Sequence, residues 1–212
     1  MNPTSSPKFR RRKADRPREI VAAALQIFAE KGFASARLDE IATRAGLSKG
    51  AVYLYFETKE DVFRAVVEHA IAPEIDLARA AIAAHPGPLP DLLRLLAERF
   101  VAVVGGSAVG GVAKMVIGEA RNFPELARVW HDRLVSKVIG AVASAVAAAQ
   151  VRGEVRPGDP RIYALQIIAP LLVGVIWRET FVPVGAPEFD LSSLSVQHLD
   201  TLLVGLLTPE SA

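Results

Sequence analysis

Apolar residues recur every three to four positions along almost the whole chain, and no segment alternates apolar and polar with turn punctuation, so the pattern predicts an all-α fold. Glycine and proline mark the joints. A first helix is expected over 17–31, with Pro17 near its first turn, Ile20, Ala24, Ile27 and Phe28 on one face, and Gly32 as a left-handed stop. A second, short helix is expected over 37–45 and a third over 49–56. A fourth begins after Thr58, which forms a capping pair with Asp61, and runs through Phe63, Val66 and Val67 until Pro73 kinks or ends it. The run His-Pro-Gly-Pro-Leu-Pro at 85–90 is the strongest break. Longer helices follow at 90–104, 108–122, 124–150, 160–181 and 193–207.

This layout predicts three stretches: a basic, disordered arm over 1–16, a three-helix domain over 17–70, and a helical domain over 71–212 entered through the fourth helix. The second and third helices carry the residues a helix-turn-helix needs. Ala42 is small enough for the two helices to cross closely, and Gly46 supplies a positive φ for a tight turn. Leu47 and Val52 fill the space between the helices, and Ser48 caps the third one. An ordinary helical hairpin has the same pattern. What separates the two is the surface left once the packing residues are removed: Lys49, Gly50, Ala51, Tyr53, Leu54 and Tyr55, with Lys59 opening the fourth helix. Small residues let a helix approach base edges, tyrosine hydroxyls donate to phosphates and lysines neutralise them. Tyr55 fits a core position equally well.

Charge sharpens this reading. The formal charge of the 212 residues is +2. Residues 1–70 hold 13 Lys/Arg against 9 Asp/Glu, whereas 71–212 hold 12 against 14; residues 1–18 alone carry seven bases and one acid. A polyanionic partner is implied, although a solvated tail has the same composition. With no cysteine, disulfides, thiol nucleophiles and cysteine-ligated zinc are excluded, and a reducing cytoplasm is the expected compartment. The early bases are followed by Asp15 and Arg16 rather than an apolar stretch, so no secretion signal is read there. A hydrophobic fraction of 51% raises the question of a membrane. The longest charge-free run, 162–177, is 16 residues and holds Pro170, short of the roughly 20 that a spanning helix requires. No membrane partner is expected, and the excess apolar surface is assigned to a protein partner.

From Arg18 to His69 the sequence resembles the DNA-binding domain of the TetR/AcrR family of bacterial transcriptional regulators. The residues in register are Gly32-Phe33, Ile41-Ala42, Ala45-Gly46, Ser48-Lys49-Gly50, Tyr53, and Phe56 followed by Lys59-Glu60. The resemblance implies a homodimer that binds a palindromic operator as a repressor released by a small molecule. It places Lys49, Gly50, Ala51, Tyr53 and Tyr55 in the major groove and Lys59 on a phosphate. Two departures stand out. Ala36-Arg37 replaces the usual Ser/Thr before the second helix, leaving Arg37 to supply a phosphate contact in place of a cap. Ala51 replaces the usual Thr and offers only apolar contact, as with a thymine methyl.

The second half must then hold a sensor and a dimer surface. Effector pockets are mostly apolar with a few polar anchors. The expected lining is Phe100, Met115, Phe123, Trp130, Trp177 and Phe181, with Glu119, His131 or Gln166 as anchors for a largely apolar effector. The last two helices carry more apolar surface than one bundle can cover. Ile168, Leu172, Val175, Leu199, Leu202 and Leu206 are expected at the dimer interface, with Ala169, Gly174 and Gly205 allowing close approach.

Enzymes fit poorly. Gly105-Gly106-Ser107-Ala108-Val109 lacks the last glycine of a nucleophile elbow, and the glycines lack the Lys-Ser/Thr of a phosphate loop. The histidines at 69, 85, 131 and 198 have no ligand spacing, so neither metal nor cofactor is expected. The remaining alternative is a DNA-binding activator or architectural protein of the same shape with no effector.

Overall fold

Helical periodicity translates into helices along the full length of the computed structural model, which describes residues 8–209, with side chains from residue 16 onward. Eleven α-helices occur among these residues: α1 (Lys8–Ser35), α2 (Leu38–Arg44), α3 (Lys49–Tyr53), α4 (Lys59–Val66), α5 (Ala72–Ala84), α6 (Leu89–Gly105), α7 (Val109–Glu119), α8 (Pro124–Trp130), α9 (Ser136–Val151), α10 (Pro160–Thr180) and α11 (Leu191–Leu206). Of the arm expected to be disordered, residues 1–7 lie outside the described residues. From Lys8 the backbone is already helical, so Pro17 sits inside α1 rather than at its start.

Gly32 does interrupt α1, but not as a left-handed stop. Its φ of 77° and ψ of 171° lie in an extended region that is open only to glycine. The end of α2 follows its local code closely. Gly46 has φ 67°, its N–H donates to Thr43 O at 3.1 Å, and Leu47 N–H donates to Ala42 O at 2.9 Å, which closes a Schellman turn. Ser48 Oγ then accepts from Ala51 N–H at 3.3 Å, and Thr58 and Asp61 form a reciprocal capping box on α4. The third helix is shorter than expected, ending at Tyr53.

Pro73 marks a change of winding rather than an end. α4 and α5 are joined by a wide π turn at Val67–Ile71, and α8 and α9 by another at His131–Val135. Glu68 on the first turn pairs with Arg133 on the second at 3.1 Å.

Two main cores result. One unites α1 to α4 with α7 and α8 around Phe28, Phe33, Phe63, Val112 and Trp130. The other lies between α6, α9, α10 and α11 around Leu93, Val146, Ala164 and Leu199. The N-terminal helical head is thus continuous with the body. Two unbroken helical stretches, Pro124–Val151 and Pro160–Val184, are long and apolar enough to cross a membrane. The charge-free run of 16 residues therefore understated the apolar length, because a few widely spaced charges do not interrupt a helix.

A candidate nucleic-acid interface on the third helix

On α3 only Val52 is buried; it plugs the space against α2, where Ile41 and Ala42 are also buried. The remaining side chains face outward. Lys49, Gly50, Tyr53, Leu54 and Tyr55 are exposed, as is Ser48, and Ala51 is half-buried. Tyr55, which fits core and contact equally, is 36% exposed. A Cβ at Gly50 would meet nothing within 4 Å, so the start of the helix presents bare backbone. Arg37 precedes α2 in an extended conformation, makes no side-chain cap and is exposed.

The charges around this edge are paired. Lys49 Nζ donates to Asp39 at 3.0 Å and sits 5.9 Å from the centre of the Tyr53 ring. The hydrogen bond to Asp39 raises the lysine pKa above its ordinary value. Arg44 grips both oxygens of Glu30 at 2.8 Å, and Lys31 pairs with Glu40 at 2.9 Å. These contacts hold the two glutamates below the usual carboxylate range. Such exposed pairs contribute little stability and exchange readily for a phosphate.

Lys59, expected on a phosphate, is engaged within the chain. Its ammonium donates to Phe33 O at 2.6 Å, Ala36 O at 3.0 Å and Ala34 O at 3.2 Å, and lies 4.4 Å from the Phe33 ring centre. All three of its protons serve the turn between α1 and α2, so a phosphate contact would have to displace one of them.

The expected pocket residues do not converge. Met115 and Trp130 are buried in the core shared with the reading head, and the Phe123 ring stands 5.1 Å from that of Phe33. Glu119 accepts from Phe33 N–H and Ala34 N–H, both at 2.8 Å, so it anchors backbone rather than a ligand. Phe100 is half-buried between the two C-terminal clusters, while Gln166 is exposed on α10. Trp177 packs on Phe181 and Phe189, and its indole N–H donates to Pro187 O at 2.9 Å. His131 is exposed beside Asp132. Residue type and period gave these side chains a face but not the helix they cross. An opening of about 260 Å³ lies elsewhere, where Leu25, Ala70, Ala102, Val103 and Val109 surround a gap bordered by Glu74. Its apolar walls are aliphatic, with Gly106 and Ser107 completing the rim, and none of the aromatic residues expected to line a pocket is among them.

The interface set divides in two. Val175, Leu199 and Leu206 are buried within the chain, and a Cβ at Gly174 would strike Leu194 and Leu191, so its close approach is to α11. Leu172 is exposed, and Ile168 and Leu202 are half-buried. The outward face of α10 is instead made by Ile162, Leu165, Leu172 and Val173, joined on α11 by Val196 and Val204. Among the described residues, no three His, Cys, Asp or Glu side chains converge as a metal site would require.

Residues 20–66 match the model for bacterial regulatory proteins of the tetR family, and residues 91–189 match the C-terminal domain of AefR-like transcriptional repressors. The HTH-type transcriptional repressor BepR of Brucella suis is 29% identical over 196 residues, which cover 90% of this chain and 91% of that protein. A TetR-family regulator from Mesorhizobium loti has a solved structure with TM-score 0.75 and 26% identity, covering 93% of this chain and 99% of that one. FadR of Bacillus subtilis, solved with stearoyl-CoA, shares the fold with TM-score 0.77 at 21% identity, covering 89% of this chain and 98% of that one. With the N-terminal reading head and the C-terminal body both matched, this chain belongs to the TetR family of bacterial transcriptional regulators.

Proposed function

We propose that the protein is a DNA-binding repressor that holds a palindromic operator as a homodimer in the cytoplasm and is released by a small, largely apolar effector. The observation that carries this reading is the outward face of α3: one buried valine fixes the helix, Lys49, Gly50 and Tyr53 are exposed beside the half-buried Ala51, and Lys49 is held only by a surface pair that a phosphate can replace. Ser48, Tyr55 and Arg37 flank that edge and supply backbone contacts. The exposed apolar stripe of α10 supports pairing with a second copy, which sets two α3 helices at the roughly 34 Å spacing of successive major grooves. The largely aliphatic opening between α1, α5, α6 and α7 supports an apolar effector, because filling it bears on helices of both head and body. The same domain organisation is shared with BepR, named a repressor, along nearly its whole length.

The test is binding to the DNA upstream of the protein's own gene, followed by fluorescence anisotropy. A steep fall of affinity with salt is expected, since several Lys and Arg displace counterions. Replacing Lys49 and Tyr53 with Ala should abolish binding while the dimer mass in light scattering stays unchanged. Salt-independent binding, or loss of the dimer in that variant, would contradict the assignment. Release of the duplex by an effector separates a repressor of this kind from an architectural protein.

A further inference from the structure

α3 makes little more than one turn, so the direction of each of its side chains follows from the single residue that is buried. At about 100° per residue, Gly50 and Leu54 both stand roughly opposite Val52 and point away from the core. Leu54 follows the last residue of the helix with φ −71° and ψ −18°, so it continues the same spiral. The exposures agree with this count: Val52 has no exposed surface, whereas Leu54 is 78% exposed.

Lys49 and Tyr53 form a separate line on one flank, four residues apart, with the ammonium 5.9 Å from the ring centre. The half-buried Ala51 lies on the other flank. Between them the crest of the helix is a glycine and a leucine, neither of which has a side-chain donor or acceptor. A Cβ at Gly50 would meet nothing within 4 Å, so the leucine has open space on its N-terminal side. A single exposed leucine is ordinary on a protein surface. This one is different in its setting, because the exposed cations Lys49 and Arg37 border the same edge and suit a polyanion. A helix seated in the major groove turns its crest to the base edges, and the apolar feature presented there is the C5-methyl group of thymine.

We propose that Leu54 is a specificity-determining residue that reads the methyl group of a thymine in each half of the operator. This rests on the DNA-binding reading above and narrows it, since the half-site must then offer a thymine to the crest of α3 in addition to the groups bonded by Lys49 and Tyr53. Cytosine in that place would set its amino group against the leucine, which covers the donor without replacing the hydrogen bond it made to water. Uracil isolates the methyl itself, because it pairs as thymine does and differs from it in that group alone.

Anisotropy is measured on the full chain with two synthetic duplexes, the one bound upstream of the gene and a copy in which deoxyuridine replaces every thymidine. Burying one methyl group is worth about fourfold in affinity, so a dimer that seats two Leu54 side chains should prefer the thymine duplex by about fifteenfold. Leu54→Ala should bind the thymine duplex as weakly as the wild type binds the uracil one, and its own preference between the two should shrink to within about twofold. Leu54→Met, which keeps an apolar side chain of similar reach, should retain most of the preference. The exposed position leaves the fold untouched in both variants, and circular dichroism should match the wild type. Wild-type protein that binds the two duplexes equally would overturn the assignment and leave DNA binding standing. So would a Leu54→Ala protein with the full preference, since the methyl groups would then be read by another residue or through the shape of the duplex. If neither duplex is bound, the DNA-binding reading itself fails and the role of Leu54 falls with it.

Discussion

Val173 closes the outward stripe of α10 and is 64% exposed, against 54% for Leu165 and 37% for Leu172. Within a single chain the site is open to water, so Val173→Glu should alter the stability of the protomer by no more than about 0.5 kcal/mol. In a dimer paired through this stripe the cost is different. Burying an aliphatic side chain contributes about 1.5–3 kcal/mol when complete, so roughly 1 kcal/mol per copy is lost when the partly exposed valine is replaced. The new carboxylate must also be desolvated without a counter-ion, and the symmetry of the pair counts both effects twice. A total of at least about 4 kcal/mol follows, a rise in dimer Kd of about a thousandfold. Size-exclusion chromatography with light scattering at micromolar protein should show the mass halved, while circular dichroism keeps the wild-type helix signal and Tm. Operator affinity should fall alongside, because a single α3 reads half a palindrome. Val175→Ala provides the contrast. That side chain is buried against α7 and α11, so its truncation should lower Tm without an equal effect on assembly. A Val173→Glu protein that remains dimeric would refute the assignment of the stripe.

Further outcomes follow from individual contacts. Asp39→Asn removes the acid paired with Lys49, so affinity for any duplex should rise by about two- to fivefold at low salt, with a steeper salt slope in anisotropy. Thr58→Ala takes one half of the capping box from α4 and should cost about 1 kcal/mol in urea unfolding, most of it restored by Thr58→Ser. Glu154 is bonded by Arg152 and by Leu89 N–H at 2.9 Å, and both contacts depress its pKa, as hydrogen bonds from Ser193 do for Asp190. A carboxylate with a lowered native pKa stabilises the fold above its unfolded value and loses that contribution as pH falls through the native one. Tm should thus decline on acidification below the ordinary carboxylate range, and Glu154→Gln should flatten that decline.

The local devices were legible because their partners are close in sequence. The Gly46 turn, the Ser48 cap and the Thr58–Asp61 box each close within six residues, and the pattern of residue types specifies them without tertiary help. The faces of α10 were not separable in this way. It is apolar all round, so periodicity cannot say that Val175 turns inward and Val173 outward; that depends on where α7 and α11 cross it. Longer reach defeats sequence reading altogether. Glu119 acts 85 and 86 residues from its amides, and Lys59 acts 23 to 26 residues from its carbonyls. In each case the charge marked a polar residue of importance, but the partner is a backbone group, which carries no signature. The scatter of the expected pocket residues has the same origin: large aromatics on amphipathic helices mark a junction between layers whether that junction is filled or hollow.

The paired π turns at Val67–Ile71 and His131–Val135 make the angle between head and body a matter of counting. Each holds one residue more than a regular turn, and a helical residue accounts for 100° of rotation and 1.5 Å of rise. Deleting one residue from either turn would let the spiral close as a regular turn, and the widened stretch that sets Glu68 opposite Arg133 would be lost. Insertions or deletions at these two places should therefore be rarer among working relatives than in the 85–90 connection, where slack in the chain absorbs them.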